Sequence, residues 1–339
     1  MQPPAEFISM ALYSQNGLKW IFRDYTKERL IQLFNSAGLS ESQRGGLQIS
    51  VESSNTCVVI PNDDVIFGMS PSARAQIYAV LGTNPENAIQ YDPFVYKPAQ
   101  INEWLAHSAL PAQTIAMVKA LLYEQGDSLL FADYGAVLKR LASNDEKTML
   151  LKTLLRKQSL LVKVRITPET DIDALLHYWG KGGDDKVVRP LLEGLPRIEG
   201  GLTIGLPRLL PAFAFDRLYT YPLPSDNPAA GLHDCHWTTF NFFNEHPGEG
   251  FANAEQLKAL LQSDYYPVSG TPAYGDAVLF VTSAGKLVHS AVYLADDILF
   301  TKNGASPISP WMLMRLPELL STFQIHGTLK PLYYRFKKY

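Results

Sequence analysis

Apolar side chains recur at three- and four-residue spacing through most of the first two-thirds of the chain, and at every second residue through much of the last third. The first period lines one face of a helix, and the second lines one face of a strand. Helices are therefore predicted over 24–37, 98–109, 111–124, 133–142, 145–157 and 170–179. Ser70-Pro71 ahead of Ala73 to Leu81 adds another, with a hydroxyl cap, a first-turn proline and Gly82 as its stop. Alternation with β-branched residues predicts strands at 47–51, 56–60 and 160–167.

The pattern changes near Leu195-Pro196-Arg197-Ile198-Glu199-Gly200-Gly201. Phe, Trp and Tyr number 17 in residues 1–200 and 21 in the 139 after them, which places a domain boundary there. The expected division is a mainly helical domain, 1–200, and a second domain, 201–339. Within the second, Asp234 is placed to cap a helix from Cys235 to about Glu245, stopped by Pro247-Gly248. Alternating runs at 276–281, 287–294 and 298–303, joined by short turns, predict an antiparallel β-meander. Ser309-Pro310-Trp311 has the cap-then-proline signature of one more helix, and 332–336 reads as a closing strand. The fold class is α+β.

Composition narrows the function. At 46% hydrophobic and 19% charged residues, 339 positions suffice for two ordinary globular cores. Thirty basic against thirty-three acidic side chains leave a net charge of −3, with no basic run to neutralise phosphates, so nucleic acid is excluded as a partner. Arg208 or prolines break the apolar stretches well short of the ~20 residues that cross a bilayer. The opening MQPPAEF lacks the basic start and apolar middle of an export signal, which leaves the compartment open to an exported chain whose signal has been removed. Two cysteines, Cys57 and Cys235, are too few for a disulfide framework or a four-thiolate zinc site, though one bridge between them stays open. No cofactor is implied, and nothing in the pattern fixes the oligomeric state.

The chemistry gathers around Cys235. A thiol becomes a strong nucleophile when it loses its proton, and amides at a helix start favour that loss. A histidine must then serve as base, and a third polar group must orient it. His289, at the start of the second meander strand between Val288 and the small Ser290 and Ala291, is the expected base, projecting from the sheet toward the helix of Cys235. Thr301 and Asn303 share one face of the next strand; Asn303 is preferred as the orienting acceptor and Thr301 is the alternative. His233 and His236 neighbour the cysteine, point away from it along a helix, and are expected to line the cleft with Asp234 and Trp237. Cys57, in an apolar strand, is expected to be inert, and Asp276 to be a turn acid. A zinc site built from His233, Asp234, Cys235 and His236 is a weaker alternative, because consecutive ligands do not all face one ion.

Asp234-Cys235 heading a helix, Gly275-Asp276-Ala277-Val278-Leu279-Phe280 as a strand and His289-Ser290-Ala291-Val292-Tyr293-Leu294 as the next resemble the NlpC-type cysteine peptidases of bacteria, over residues 215–305. That resemblance implies a papain-like fold, with a helix at the nucleophile packed on an antiparallel meander, and hydrolysis of amide bonds in a peptide or peptidoglycan-like substrate. It also implies a substrate-orienting or oxyanion role for Tyr221 or Tyr219, and it places Thr301 where the family often has a histidine. His236-Trp237 stands where the family has Ser-Gly, and Ala291 where it has glycine, changes that bear on substrate choice. A binding module without catalysis and an acyltransferase on the same fold are the other functions this pattern allows.

Overall fold

The computed structural model describes residues 1–4, 8, 19–53, 55–91, 93–181, 185–194, 200–222, 233–249, 251, 254–306, 308–323 and 327–338. Its contacts divide the chain into Gln2–Arg156 and a second unit of Lys157–Tyr339 with Met1. The boundary expected at residue 200 is thus displaced to 156/157. The strand Lys163–Ile166 pairs antiparallel with Leu202–Gly205, across the expected division. Leu176 and Trp179 also join Phe213, Trp237 and Trp311 in one core. Aromatic content shifts at residue 200, but the hydrogen bonds and the core that hold 157–200 belong to the C-terminal unit. Leu195 to Glu199, on which the expected boundary fell, lie outside the described residues.

The first unit carries more helix than strand, as expected, and adds two small sheets. The predicted helices appear as Lys27–Ser36, Pro71–Leu81, Pro98–Ala106, Ala112–Ala120, Tyr134–Arg140 and Asn144–Leu154. Ser70 caps the second of them through a bond from the Ala73 amide, as its hydroxyl suggested. Two three-stranded sheets accompany them: Thr56–Pro61 between Trp20–Arg23 and Leu47–Ser53, and Ser128–Phe131 between Phe94–Tyr96 and Tyr123–Gln125. Strands of three or four residues are too short for a two-residue period to register.

The second unit carries the candidate chemistry on a six-stranded sheet. Its strands are β1 (Tyr265–Pro267), β2 (Ala277–Thr282), β3 (Leu287–Ala295), β4 (Ile298–Lys302), β5 (Trp311–Arg315) and β6 (Leu329–Phe336). Three helices matter for the site: α1 (Cys235–Phe240), α2 (Ala254–Asp264) and α3 (Leu316–Thr322). The strand order is β5-β4-β3-β2-β6-β1, and every neighbouring pair is antiparallel. The predicted meander is present and continues into β5. Ser309-Pro310-Trp311 therefore opens a strand, not the expected helix: Trp311 and Leu313 pack on one face and Met314 on the other. The helix comes after it, at Leu316, with a proline in its first turn. α1 ends at Phe240, short of Glu245, because the Asn241 side chain both donates to the Gly248 carbonyl at 2.9 Å and accepts from its amide at 2.8 Å, closing a loop.

Period-two alternation gives the sheet two buried faces. On one, Ala277 and Leu279 meet Phe240 of α1 and Leu257 of α2, while Val292, Leu294, Phe300 and Leu313 share a core with Trp237 and Phe242. On the other, Val278, Phe280, Ala291, Tyr293 and Leu299 pack with Leu319 of α3. Gly275, at φ +86°, leads into β2 where a Cβ would fall inside the Phe243 ring, so both conformation and space demand glycine. Asp276 is a structural acid: it accepts from Arg335 at 2.7 and 2.8 Å and from the Ala273 amide at 2.7 Å. Among the described residues no helix is long and apolar enough to cross a membrane.

Candidate functional site

Asp234 has extended backbone (φ −89°, ψ −167°), and its Oδ1 accepts from the Trp237 amide at 2.8 Å, which starts α1 at Cys235. The Cys235 side chain is buried, and both cysteines are free, so the bridge left open by the sequence does not form. The amides of Ser290, His236 and Cys235 itself favour the thiolate. Burial, with the Asp234 carboxylate second, outweighs them and pushes the thiol up to about 12. The resting sulfur is therefore protonated, and the thiolate–imidazolium pair expected for an activated cysteine is not the resting state.

His289 departs from expectation in direction. It stands opposite Phe280 across the β2–β3 ladder, and its ring stacks on Phe323 at 4.3 Å between centroids. That is the face covered by α3. Its neighbour Ser290 stands opposite Leu279 and takes the α1 face, where Ser290 Oγ lies 2.9 Å from His236 Nδ1. The imidazole thus leaves β3 away from α1, and among the described residues no hydrogen bond joins it to Cys235 Sγ. What the thiol meets instead is the Ser290 amide, adjacent to His289 in the strand. The β3–β4 ladder begins only at the Val292–Phe300 pair, and before it the two strands are joined by the side chains of His289 and Thr301.

The polar chain behind His289 is well defined. Nε2 lies 2.9 Å from Thr301 Oγ1, Thr301 donates to Asn303 Oδ1 at 3.0 Å, and Asn303 Nδ2 reaches Met314 Sδ at 3.2 Å. A hydroxyl has one proton to give, and Thr301 gives it to Asn303, so it accepts from Nε2–H. Nδ1 of the neutral ring is then the free acceptor. Burial, reinforced by nearby His236, takes the His289 pKa down to about 3, which keeps the ring neutral at physiological pH. Thr301 is thus the residue on the imidazole, and Asn303, preferred from the sequence, stands one bond behind it.

The remaining candidates separate by partner. His236 does not point away: a ring nitrogen, the Cys235 sulfur and an Asp234 oxygen all lie within 4.8 Å of one another. Burial lowers the His236 pKa and Asp234 opposes that. His233 turns aside, stacked on Trp237 at 3.6 Å with Nε2 3.3 Å from Glu249. Trp237 is a core residue rather than a cleft wall, packed on Phe213 at 5.2 Å. Tyr219 is structural, at φ +66° with its hydroxyl donating to the Leu160 carbonyl at 2.6 Å. The Tyr221 hydroxyl is buried with no partner among the described residues, and burial pushes its pKa up to about 12. Cys57 is buried in its strand, with Sγ donating to Tyr25 O at 3.3 Å.

One residue escaped the sequence reasoning. Lys302, fully buried at the end of β4, comes directly after Thr301 and so takes the opposite face, that of α1, where the charges of Cys235 and Asp234 act on it. The signal was present, since a lysine in phase with Phe300 on an otherwise apolar strand points into the core. Comparison with protein-family models, curated proteins and solved structures finds no match for this chain.

Proposed function

We propose that the second unit is a cysteine hydrolase of amide bonds, with Cys235 as nucleophile and His289 as base and acid. The observation that carries this is the His289–Thr301–Asn303 chain, which presents Nδ1 as an acceptor one residue from the amide that the Cys235 sulfur meets. A helix headed by the cysteine and packed on an antiparallel sheet supports the papain-like, NlpC-type form of the fold, and with it cell-wall stem peptides as the substrate class.

In the reaction, substrate binding brings the imidazole and the sulfur together, Sγ–H passes its proton to His289 Nδ1, and the thiolate attacks the amide carbonyl carbon. The Cys235 amide donates to the developing oxyanion, a contribution of about 3 kcal/mol per donor in such sites. The imidazolium, held by Thr301, protonates the leaving amine as the C–N bond breaks. Neutral imidazole then takes a proton from water, whose oxygen displaces sulfur from the thioester, returning the thiol and releasing a carboxylate. Tyr221, whose hydroxyl has no partner among the described residues, is the tyrosine left to bond substrate; Tyr219 has its proton engaged.

The test is digestion of purified stem peptides, with products weighed by mass spectrometry for the wild-type chain, Cys235→Ala and His289→Ala. Cleavage by the wild type alone is expected, and unchanged cleavage by Cys235→Ala excludes the assignment. A metal centre is the second reading, favoured by the convergence of Asp234, Cys235 and His236 within 4.8 Å. The buried ammonium of Lys302 opposes a cation there, and metal analysis of the purified protein decides between them.

A further inference from the structure

Lys302 has no exposed surface. It pairs across β4–β5 with Trp311, whose indole donates to Thr238 of α1 at 3.0 Å, so the lysine is packed beneath the nucleophile helix. Its Nζ donates to the Gly304 carbonyl at 2.6 Å and the Ser306 carbonyl at 3.0 Å, and lies 5.9 Å from the Trp311 ring centroid. Among the described residues no carboxylate forms a salt bridge with it. A buried charge held only by neutral carbonyls is unbalanced, and a negative charge arising beside it restores the balance.

We propose that Lys302 is a positioning residue for the nucleophile: its buried ammonium is the counter-charge that holds the Cys235 thiolate once the sulfur proton has left. This rests on Cys235 being the nucleophile. Lys302 keeps its own protons throughout, and the sulfur proton goes to His289. The charges that act on Lys302 are those of Cys235, at the start of α1, and Asp234, its cap; Ser290 of β3, neutral and 2.9 Å from His236, shares that face. Arg217, of the helix Ala212–Arg217, lies 5.8 Å from the Trp311 ring. His289 and Thr301 take the other face. Burial takes the Lys302 pKa down to about 8, while charge on Cys235 raises it. By reciprocity, the ammonium lowers the thiol.

The test needs no substrate. Alkylation by iodoacetamide is monitored at Cys235 and Cys57 by peptide mapping between pH 6 and 9.5, in the full chain and in Lys302→Met, Lys302→Arg and His289→Ala. Lys302→Met is expected to slow Cys235 about tenfold or more at pH 7, one unit of thiol pKa, and to move its profile upward. Lys302→Arg keeps the charge and stays within about threefold of wild type by the same scale. Cys57 does not change. The wild-type rise bends over near pH 8, where the lysine loses its proton, whereas that of Lys302→Arg continues without a bend. Superimposable profiles for wild type and Lys302→Met overturn the proposal. Should that variant fail to fold, a wild-type profile that rises without that bend and superimposes on that of Lys302→Arg overturns it equally. A Cys235 that reacts no faster than Cys57 in wild type removes the nucleophile itself. A slowed His289→Ala beside an unchanged Lys302→Met removes only the lysine's role.

Discussion

Each unit of this chain buries one cysteine and at least one cation, and the two treat them differently. In the first, Arg74 is fully buried and donates to Asp133 at 2.8 Å and to the Ile66 carbonyl, while Tyr78 donates to the same carboxylate. Cys57 has a carbonyl partner, and burial is the main cause that raises its thiol. In the second, Lys302 has carbonyls but, among the described residues, no carboxylate, and three amides favour the Cys235 thiolate. Burial is common to both, so burial alone does not separate the two thiols. Under the proposed role of Lys302, what separates them is a cation that is balanced only when the Cys235 sulfur ionises.

The largest effect expected from breaking that contrast is on turnover. Cys235→Ala should lower stem-peptide cleavage about 10³-fold or more, because nucleophile and base act as a unit. Cys57→Ala should leave it unchanged. Next comes stability. Asp133→Ala strands a buried guanidinium and should cost about 3–5 kcal/mol in urea unfolding of the full chain. Lys302→Met removes a charge that has no carboxylate to strand and should stay within about 1 kcal/mol of wild type. Equal losses would erase the distinction between a paired and a poised cation.

Much of this arrangement is legible in the sequence. Three-to-four spacing locates the helices of the first unit, and Ser70 and Asp234 cap where their side chains suggest. His289, Thr301 and Asn303 group correctly because a two-residue period puts Thr301 and Asn303 on one strand face. The face that α1 covers is not legible. A strand pattern says that His289 and Ser290 point oppositely, but which of them meets the helix depends on long-range packing. Ser309-Pro310-Trp311 misleads for the same reason: cap-then-proline chemistry is local, and pairing with β4 overrides it. The boundary at 200 tracks composition, whereas pairing of Lys163–Ile166 with Leu202–Gly205 sets the real one.

A smaller effect concerns pH. His289 titrates near 3 in the fold, below the ordinary value of 6.5, because it is buried. Between those values the unfolded chain binds a proton that the folded chain refuses. Its contribution is thus complete above about pH 6.5 and lost as pH falls toward 3, at up to about 1.4 kcal/mol per unit. From pH 6.5 to 5 the wild type should lose about 1–2 kcal/mol more than His289→Gln in urea unfolding. Parallel losses would mean that the imidazole is not held neutral. The first unit buries no histidine among its described residues, so the slope belongs to the second.

The finest separation lies between Thr301 and Asn303. Thr301→Val keeps the shape of the side chain but leaves Nε2–H without an acceptor in a buried place, at a cost of about 1–3 kcal/mol. kcat should fall about tenfold with KM unchanged, since one pKa unit or its equivalent in orientation is worth that factor. Asn303→Ala acts more indirectly. It frees the Thr301 proton to turn toward Nε2, which then accepts, and the ring's own proton moves to Nδ1, where the base is needed. Thr301 keeps its place on the ring, so the loss should be only about threefold, a fraction of one pKa unit. The decisive reading is the tautomer: ¹⁵N shifts of His289 should report Nε2–H in wild type and a mixed population in Asn303→Ala. Identical shifts in both would mean that Thr301 orients the imidazole unaided.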